Sequence, residues 1–256
     1  MPKFAANLTY LFNELPLLDR FAAAAAAGFK GVEIQLPYEF PAVEIKRRLT
    51  EHGLEPVLYN LPSGSISGDR GLAAMPGREA DFWGTFEQAF DYAVQTGCKQ
   101  LHVLSGNRPA GQDDVLVANL QRASAHAAND GVTLLIEPLN AQDNPTYFLN
   151  RSEHALSVLD RVGRDNVKLQ LDLYHYQISE GNLAGHIRRL SGRYAHVQIA
   201  NPPGRNEPGA GEISFPFLFD LLDSVGYKGW IGCEYKPSTN TAASLAWARP
   251  WGIRAA

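Results

Sequence analysis

The sequence predicts an α/β fold, a single (β/α)8 TIM barrel over residues 1–256. Eight short apolar runs, rich in β-branched residues, recur along the chain with stretches of helical periodicity between them. The 256 residues match the roughly 250 that such a barrel takes as one domain. No linker of altered composition interrupts the alternation. An open doubly wound sheet is the competing architecture, but the first strand-to-helix junction holds Asn7 and Asn13 and no glycine-rich phosphate turn.

Lys3 to Leu8 is the first strand, and Leu15 to Ala27 the first helix, stopped by Gly28, whose missing Cβ suits a left-handed cap. Gly31 to Gln35 is strand two, Val43 to His52 a helix stopped by Gly53, and Leu54 to Tyr59 strand three, ending at Asn60. The Gly- and Ser-rich stretch from Leu61 to Met75 is long for a loop in a compact domain, which makes it a candidate cover for a site. Pro76 opens a helix to Thr96, closed by Gly97, before strand four at Gln100 to Leu104. The helix Asp113 to Asn129 leads to strand five, Val132 to Ile136, and Ser152 with Glu153 caps the next helix, which runs to Val162. Val167 to Leu171 is strand six. A helix from Leu183 to Leu190, strand seven at Tyr194 to Ile199, a helix from Phe215 to Val225 and strand eight at Trp230 to Cys233 complete the series.

Composition narrows the partners. Hydrophobic content of 45% and charged content of 20% belong to an ordinary globular chain. A net charge of −4 with scattered Lys and Arg gives a nucleic-acid backbone nothing to hold. Cys98 and Cys233 are too far apart in sequence for a metal-type pair and read as free thiols in a reducing compartment. The alanine run from Ala22 follows Asp19 and Arg20 and reads as helix, and no stretch approaches the ~20 apolar residues of a membrane span, so the expected location is cytoplasmic with no membrane partner.

The chemistry gathers at the strand ends of the second half. Glu137, Asp172, Gln198 and Glu234 each fall at the mouth of a successive strand, five through eight, and a barrel brings them together. Three carboxylates converging there repel one another unless a cation or protons neutralise them. An all-oxygen set of this kind suits a hard divalent ion, Mg²⁺ or Mn²⁺, whereas zinc favours histidine or cysteine. Pro138 then ends strand five so that Leu139 and Asn140 turn away from the metal.

Several runs carry a family resemblance: Ile136-Glu137-Pro138-Leu139-Asn140, Gln170-Leu171-Asp172-Leu173-Tyr174-His175, His196-Val197-Gln198-Ile199-Ala200-Asn201 with Gly209-Ala210-Gly211-Glu212-Ile213 behind it, and Gly232-Cys233-Glu234-Tyr235-Lys236-Pro237. Phe4 to Leu8, Tyr59 to Pro62, Arg70-Gly71 and Pro76 to Glu79 belong with them. Together they resemble the hydroxypyruvate isomerase family, including its 2-oxo-tetronate isomerase branch, within the xylose-isomerase-like barrels. The resemblance implies a divalent metal on Glu137, Asp172, Gln198 and Glu234, with Glu137 and Glu234 as proton donor and acceptor. It implies a small keto or hydroxy acid as substrate, hydroxypyruvate first, interconverted with tartronate semialdehyde through an enediolate, and a four-carbon 2-keto acid as the alternative.

Such a reaction moves a proton between adjacent carbons, so the site must stabilise oxyanion charge and supply a base near each carbon. His175, three residues past Asp172 in the same loop, is a candidate donor to a substrate oxygen. Arg70, Arg78, Arg205 and Lys236 are candidates to grip the carboxylate, Lys236 being two residues from Glu234. His196 shares a strand face with Gln198 and either supports the site or sits in the core; His102 reads as core, and His52, His126, His154 and His186 as helical surface. Glu212, in the glycine-flanked turn, either orients one of those cations or caps the helix at Ser214, with capping expected first. Trp247 and Trp251 either cover another subunit of a homo-oligomer or close the barrel bottom. The readings from other classes are a metal-dependent phosphodiesterase and a non-catalytic sugar-acid binder on the same barrel.

Overall fold

The computed structural model describes residues 2–254, so Met1, Ala255 and Ala256 of the expected domain lie outside the described residues. Eight parallel strands close in sequence order: β1 (Lys3–Asn7), β2 (Gly31–Ile34), β3 (Glu55–Asn60), β4 (Gln100–His102), β5 (Thr133–Ile136), β6 (Val167–Asp172), β7 (Tyr194–Ile199) and β8 (Trp230–Cys233). The ring closes by pairing β1 with β8. Helices α1 (Leu17–Ala26), α2 (Ala42–His52), α3 (Glu79–Thr96), α4 (Asp113–Ala127) and α5 (Ser152–Val162) follow the first five strands, α6 (Leu173–Ser179) and α7 (Leu183–Arg189) follow β6, and α8 (Phe215–Ser224) follows β7. Left-handed glycines at 53 and 97 end α2 and α3, as their place after the apolar periodicity predicts.

Strand alternation sorts the side chains into two compartments. One set fills the layer between sheet and helices, where Phe4, Phe21, Phe86 and Phe219 are buried. The other fills the barrel interior, which is apolar only at its base, around Ala5, Leu58, Leu135 and Trp230. Above that plug the interior turns polar, and the polar layers carry the site.

Local differences from the sequence reading have physical causes. Proline fixes the entry to α1, which starts after Pro16 and not at Leu15. Pro76 and Gly77 form a turn, and α3 begins only at Glu79. Ser152 is the first residue of α5 and does not cap it; its backbone N–H and hydroxyl both donate to the Glu180 carboxylate, at 2.7 and 2.6 Å. Glu212 does not cap α8 and accepts from Gln177. His186 is buried beside Glu180, not a surface residue. A second helix after β6 was missed because Asp172, a site residue, is also its N-cap, accepting from the Tyr174 N–H at 2.8 Å. His175 therefore sits on α6, not in a loop. Trp247 and Trp251 pack edge-on against Phe4 of the same chain, 5.1 and 5.5 Å between ring centroids.

Candidate active site

Glu137, Asp172, Gln198 and Glu234 are all buried at the C-terminal ends of β5 to β8. Burial first, and then Asp172 and Glu234, push the Glu137 carboxyl well above the usual carboxylate range. Burial likewise raises Asp172, and raises Glu234 to about 8. Each shift has the same meaning: the ionised forms crowd one another in a place where water is scarce.

Each glutamate has one oxygen held by a glutamine. The amide of Gln170 donates to Glu137 Oε2 at 3.0 Å, and that of Gln35 donates to Glu234 Oε1 at 2.5 Å. The other oxygens differ in state. Glu137 Oε1 is buried with no hydrogen-bond partner, while Glu234 Oε2 faces the Arg205 guanidinium at 3.1 Å. An unpartnered carboxylate oxygen in a buried position costs free energy unless a proton or cation meets it.

Below these groups runs a second polar layer, built on the buried Glu33 of β2. Glu33 accepts from Asn7 Nδ2 at 2.9 Å and from Gln198 Nε2 at 2.9 Å, and its Oε2 lies 2.7 Å from His196 Nε2. The layer needs Gly232, since a Cβ there would lie 2.4 Å from both Glu33 carboxylate oxygens. Gln198 is thus fixed at both ends of its amide, because its Oε1 also accepts from Gln170 at 2.6 Å. His102 completes the wall near Glu137, with Nε2 3.5 Å from Glu137 Oε2 and neither ring nitrogen hydrogen-bonded. Burial, then His175 and His196, lower its pKa to about 3, so the ring is neutral at physiological pH.

Gln35, Gln170, Glu33 and His102 were not read as site residues from the sequence, where His102 reads as core and Gln170 enters only within the run that ends at His175. A signal existed: Gln35 lies two after Glu33 and Gln170 two before Asp172, the period that puts residues on one strand face. Reading inward by two positions from Asp172 finds Gln170, and reading outward by two from Glu33 finds Gln35.

Glu137 and Glu234 open into a cavity of about 460 Å³, whereas the buried Asp172 and Gln198 do not line it. Of the candidate substrate contacts, His175, Arg205 and Arg70 line it; Arg78 and Lys236 do not. Arg78 is turned to Asp69 and Asp81, and the Lys236 side chain is exposed beyond the rim. Leu139, expected to turn away, also lines the cavity, whereas Asn140 is buried behind it. Arg205 holds a left-handed backbone, φ 58°, and its guanidinium reaches Asp172 at 3.5 Å and Glu234 at 3.1 Å. Burial alone would lower its pKa; Glu234 and Asp172 more than reverse that and raise it. The Asn140 backbone N–H donates to His175 Nδ1 at 3.1 Å, so the ring proton sits on Nε2, 3.7 Å from Asp172 Oδ2.

Glu137, Asp172 and His175 place ligand atoms within 4.8 Å of one another, the metal-type grouping found among the described residues. The unpartnered Glu137 Oε1, the equally unpartnered Gln170 Oε1 and the raised carboxyls fit a divalent cation among oxygen donors. His175 fits less well as a ligand than as a donor, because the tautomer set by Asn140 leaves no lone pair on Nε2.

Known proteins carry the same architecture. Residues 21–251 match the family described as Xylose isomerase-like TIM barrel. The chain is 48% identical to the 2-oxo-tetronate isomerase of Cupriavidus necator, over 98% of this chain and 99% of that protein. It is 42% identical to the hydroxypyruvate isomerase of Escherichia coli, over 98% of this chain and all (100%) of that one. A crystal structure described as an AP endonuclease, family 2, from Brucella melitensis superposes with a TM-score of 0.96 at 45% identity, covering 98% of this chain and 99% of that one. With relatives of this identity aligned end to end, on a closed barrel whose acids meet at one mouth, the chain belongs to the hydroxypyruvate isomerase and 2-oxo-tetronate isomerase family of the xylose isomerase-like TIM barrels, and is an isomerase.

Proposed function

We propose that this isomerase acts, as one barrel domain, on a four-carbon 2-keto acid, 2-oxo-tetronate, in preference to the hydroxypyruvate that the sequence reading put first. Support comes from the order of the relatives, three 2-oxo-tetronate isomerases at 48%, 46% and 43% identity against 42% for the Escherichia coli hydroxypyruvate isomerase. The observation that carries the chemistry is the pair of buried glutamates, each with one oxygen held by a glutamine.

Glu137, Asp172, Gln198 and Glu234 would hold a divalent ion, Mg²⁺ or Mn²⁺, and His175 would donate from Nε2 to a substrate oxygen. When bound, the ion supplies Lewis-acid stabilisation of oxyanion charge on the substrate. One glutamate takes the proton from the hydroxyl-bearing carbon, and the other returns a proton to the neighbouring carbon of the enediolate. A proton also passes from one substrate oxygen to the other, so the carbonyl moves one carbon along and no atom is gained or lost. Gln170 and Gln35 hold one oxygen of each glutamate still, which leaves Glu137 Oε1 free and Glu234 Oε2 against the Arg205 guanidinium. Burial keeps water from competing for the enediolate.

The testing experiment is an isomerisation assay with 2-oxo-tetronate and hydroxypyruvate, Mg²⁺ and Mn²⁺ added in turn. A higher kcat/KM for the four-carbon acid is expected; a higher value for hydroxypyruvate would reverse the substrate order. Abasic-site DNA in a parallel arm addresses phosphodiester cleavage, which the net charge of −4 disfavours.

A further inference from the structure

The cavity contains two arginines in opposite circumstances. Arg205 is spoken for: Asp172 and Glu234 both hold its guanidinium, and the rings of Tyr174 and Tyr10 flank it at 5.1 and 5.5 Å. Arg70 comes from the long loop after β3, near the β4 and β5 side of the mouth, and is exposed at the rim. Its Nη1 donates to the neutral side chain of Asn144, and no carboxylate pairs with it among the described residues. Asp69, next in the chain, is the obvious counter-ion, yet its carboxylate is turned to Arg78 at 3.3 Å.

From this arrangement, and resting on the keto-acid reading above, we infer that Arg70 is the residue that grips the substrate carboxylate and so selects acids over uncharged ketoses. Charge counting supports it. Glu137, Asp172 and Glu234 bring three negative charges; Arg205 offsets one and a divalent ion the other two. Those three charges at the mouth are then offset, whereas Arg70 has no carboxylate partner of its own among the described residues, and a substrate carboxylate supplies one. A guanidinium suits that task because it offers two parallel N–H donors, and Asn144 occupies only one nitrogen.

The loop presents Arg70 in a fixed place. The Arg70 carbonyl accepts from Gly106 N at 3.1 Å, and Gly71 N donates to Ser63 O at 2.7 Å. Gly71 has φ 102°, and a Cβ there would lie 2.2 Å from Leu104 O, so the loop can lie on the end of β4 only because the residue is glycine. Asn107 Nδ2 reaches back to Gly68 O at 2.9 Å and ties down the tip.

The test compares wild type, Arg70→Met and Arg70→Lys as Mn²⁺-loaded enzymes with two probes. Glycerate carries a carboxylate and neighbouring hydroxyls but no carbonyl to isomerise, and its binding is read by calorimetry. Erythrulose has a hydroxymethyl group where 2-oxo-tetronate has its carboxylate, and is followed as substrate or as competing ligand. Arg70→Met is expected to weaken glycerate by roughly 10- to 100-fold, the size of a lost charge-assisted contact. KM for the keto acid rises similarly with kcat within a few-fold, erythrulose is unaffected, and Arg70→Lys recovers part of the loss. Unchanged glycerate binding, or an equal loss with erythrulose, would overturn the assignment. A wild type that converts no keto acid removes the substrate reading, and the glycerate comparison still decides on Arg70.

Discussion

The two arcs of the barrel mouth differ in kind. From β5 to β8 the strand ends present Glu137, Asp172, Gln198 and Glu234; from β1 to β4 the cavity wall is Tyr10, Gln35, Asn60 and His102. At the strand ends one arc carries the charge and the other carries neutral hydrogen-bonding groups; the charged side chains that line the second arc, Asp69 and Arg70, come from the loop after β3. The separation has a reason. A further carboxylate at the strand ends of the second arc, level with Glu137 and Glu234, would add to their mutual repulsion over many ångströms in a site short of water. Neutral amides act only at contact distance, so Gln35 can reach Glu234 and fix one oxygen without altering the net charge.

The largest effect expected is from metal removal. Thorough chelation should take isomerisation to the level of buffer, with recovery on adding Mg²⁺ or Mn²⁺; full activity in metal-free protein, checked by elemental analysis, would mean that the acidic arc works with protons alone. Next come the two glutamates. Glu137→Gln and Glu234→Gln should each lower kcat by at least about a hundredfold, with the far-ultraviolet spectrum unchanged. A near-normal rate in either variant removes it from proton transfer.

Smaller losses should follow on the neutral side. Gln35→Leu should lower kcat by about tenfold through loss of one hydrogen bond to a charged group, and Gln170→Leu, its counterpart on β6, by a similar amount. If Gln35→Leu proves as damaging as Glu234→Gln, the neutral arc does more than orient. His102 gives the mildest test, through pH. Its folded value is about 3 and its unfolded value about 6.5, so the unfolded chain binds the proton more readily. The neutral ring's contribution is therefore full above pH 6.5 and is lost as pH falls toward 3, with about 3 kcal/mol gone by pH 4. Metal-free His102→Phe should lose correspondingly less stability than wild type between pH 7 and pH 4, measured by urea unfolding.

The same division decided what the sequence could reveal. Alternating apolar runs and helix stops made the barrel legible, since burial on both faces of a strand leaves a continuous hydrophobic signature. The acidic arc was legible because a carboxylate at the end of such a run is conspicuous. Gln35 and His102 were not, because a polar residue at a strand end is common and nothing local tells which partner it will meet. Gln35 meets Glu234 across the β1–β8 closure, 199 residues away. Glu33 was hidden by its own strand, where a buried acid is intelligible only once Asn7, His196 and Gln198 surround it. The arginines could not be ranked from sequence position: Lys236 stood nearest Glu234 in the chain, yet the backbone carries its side chain out of the cavity.

Gly232 sets a limit for anyone reshaping this enzyme toward new substrates. Position 232 faces the cluster on which Gln198 rests, and even a methyl group there would press on both oxygens of Glu33. Libraries that randomise β8 at this point would consist largely of misfolded clones. Diversity is better placed at the exposed tip of the loop after β3, where Ile66 can vary without touching the floor, Arg70 or Gly71. The barrel thus separates a part that tolerates exploration from a part that must be inherited whole.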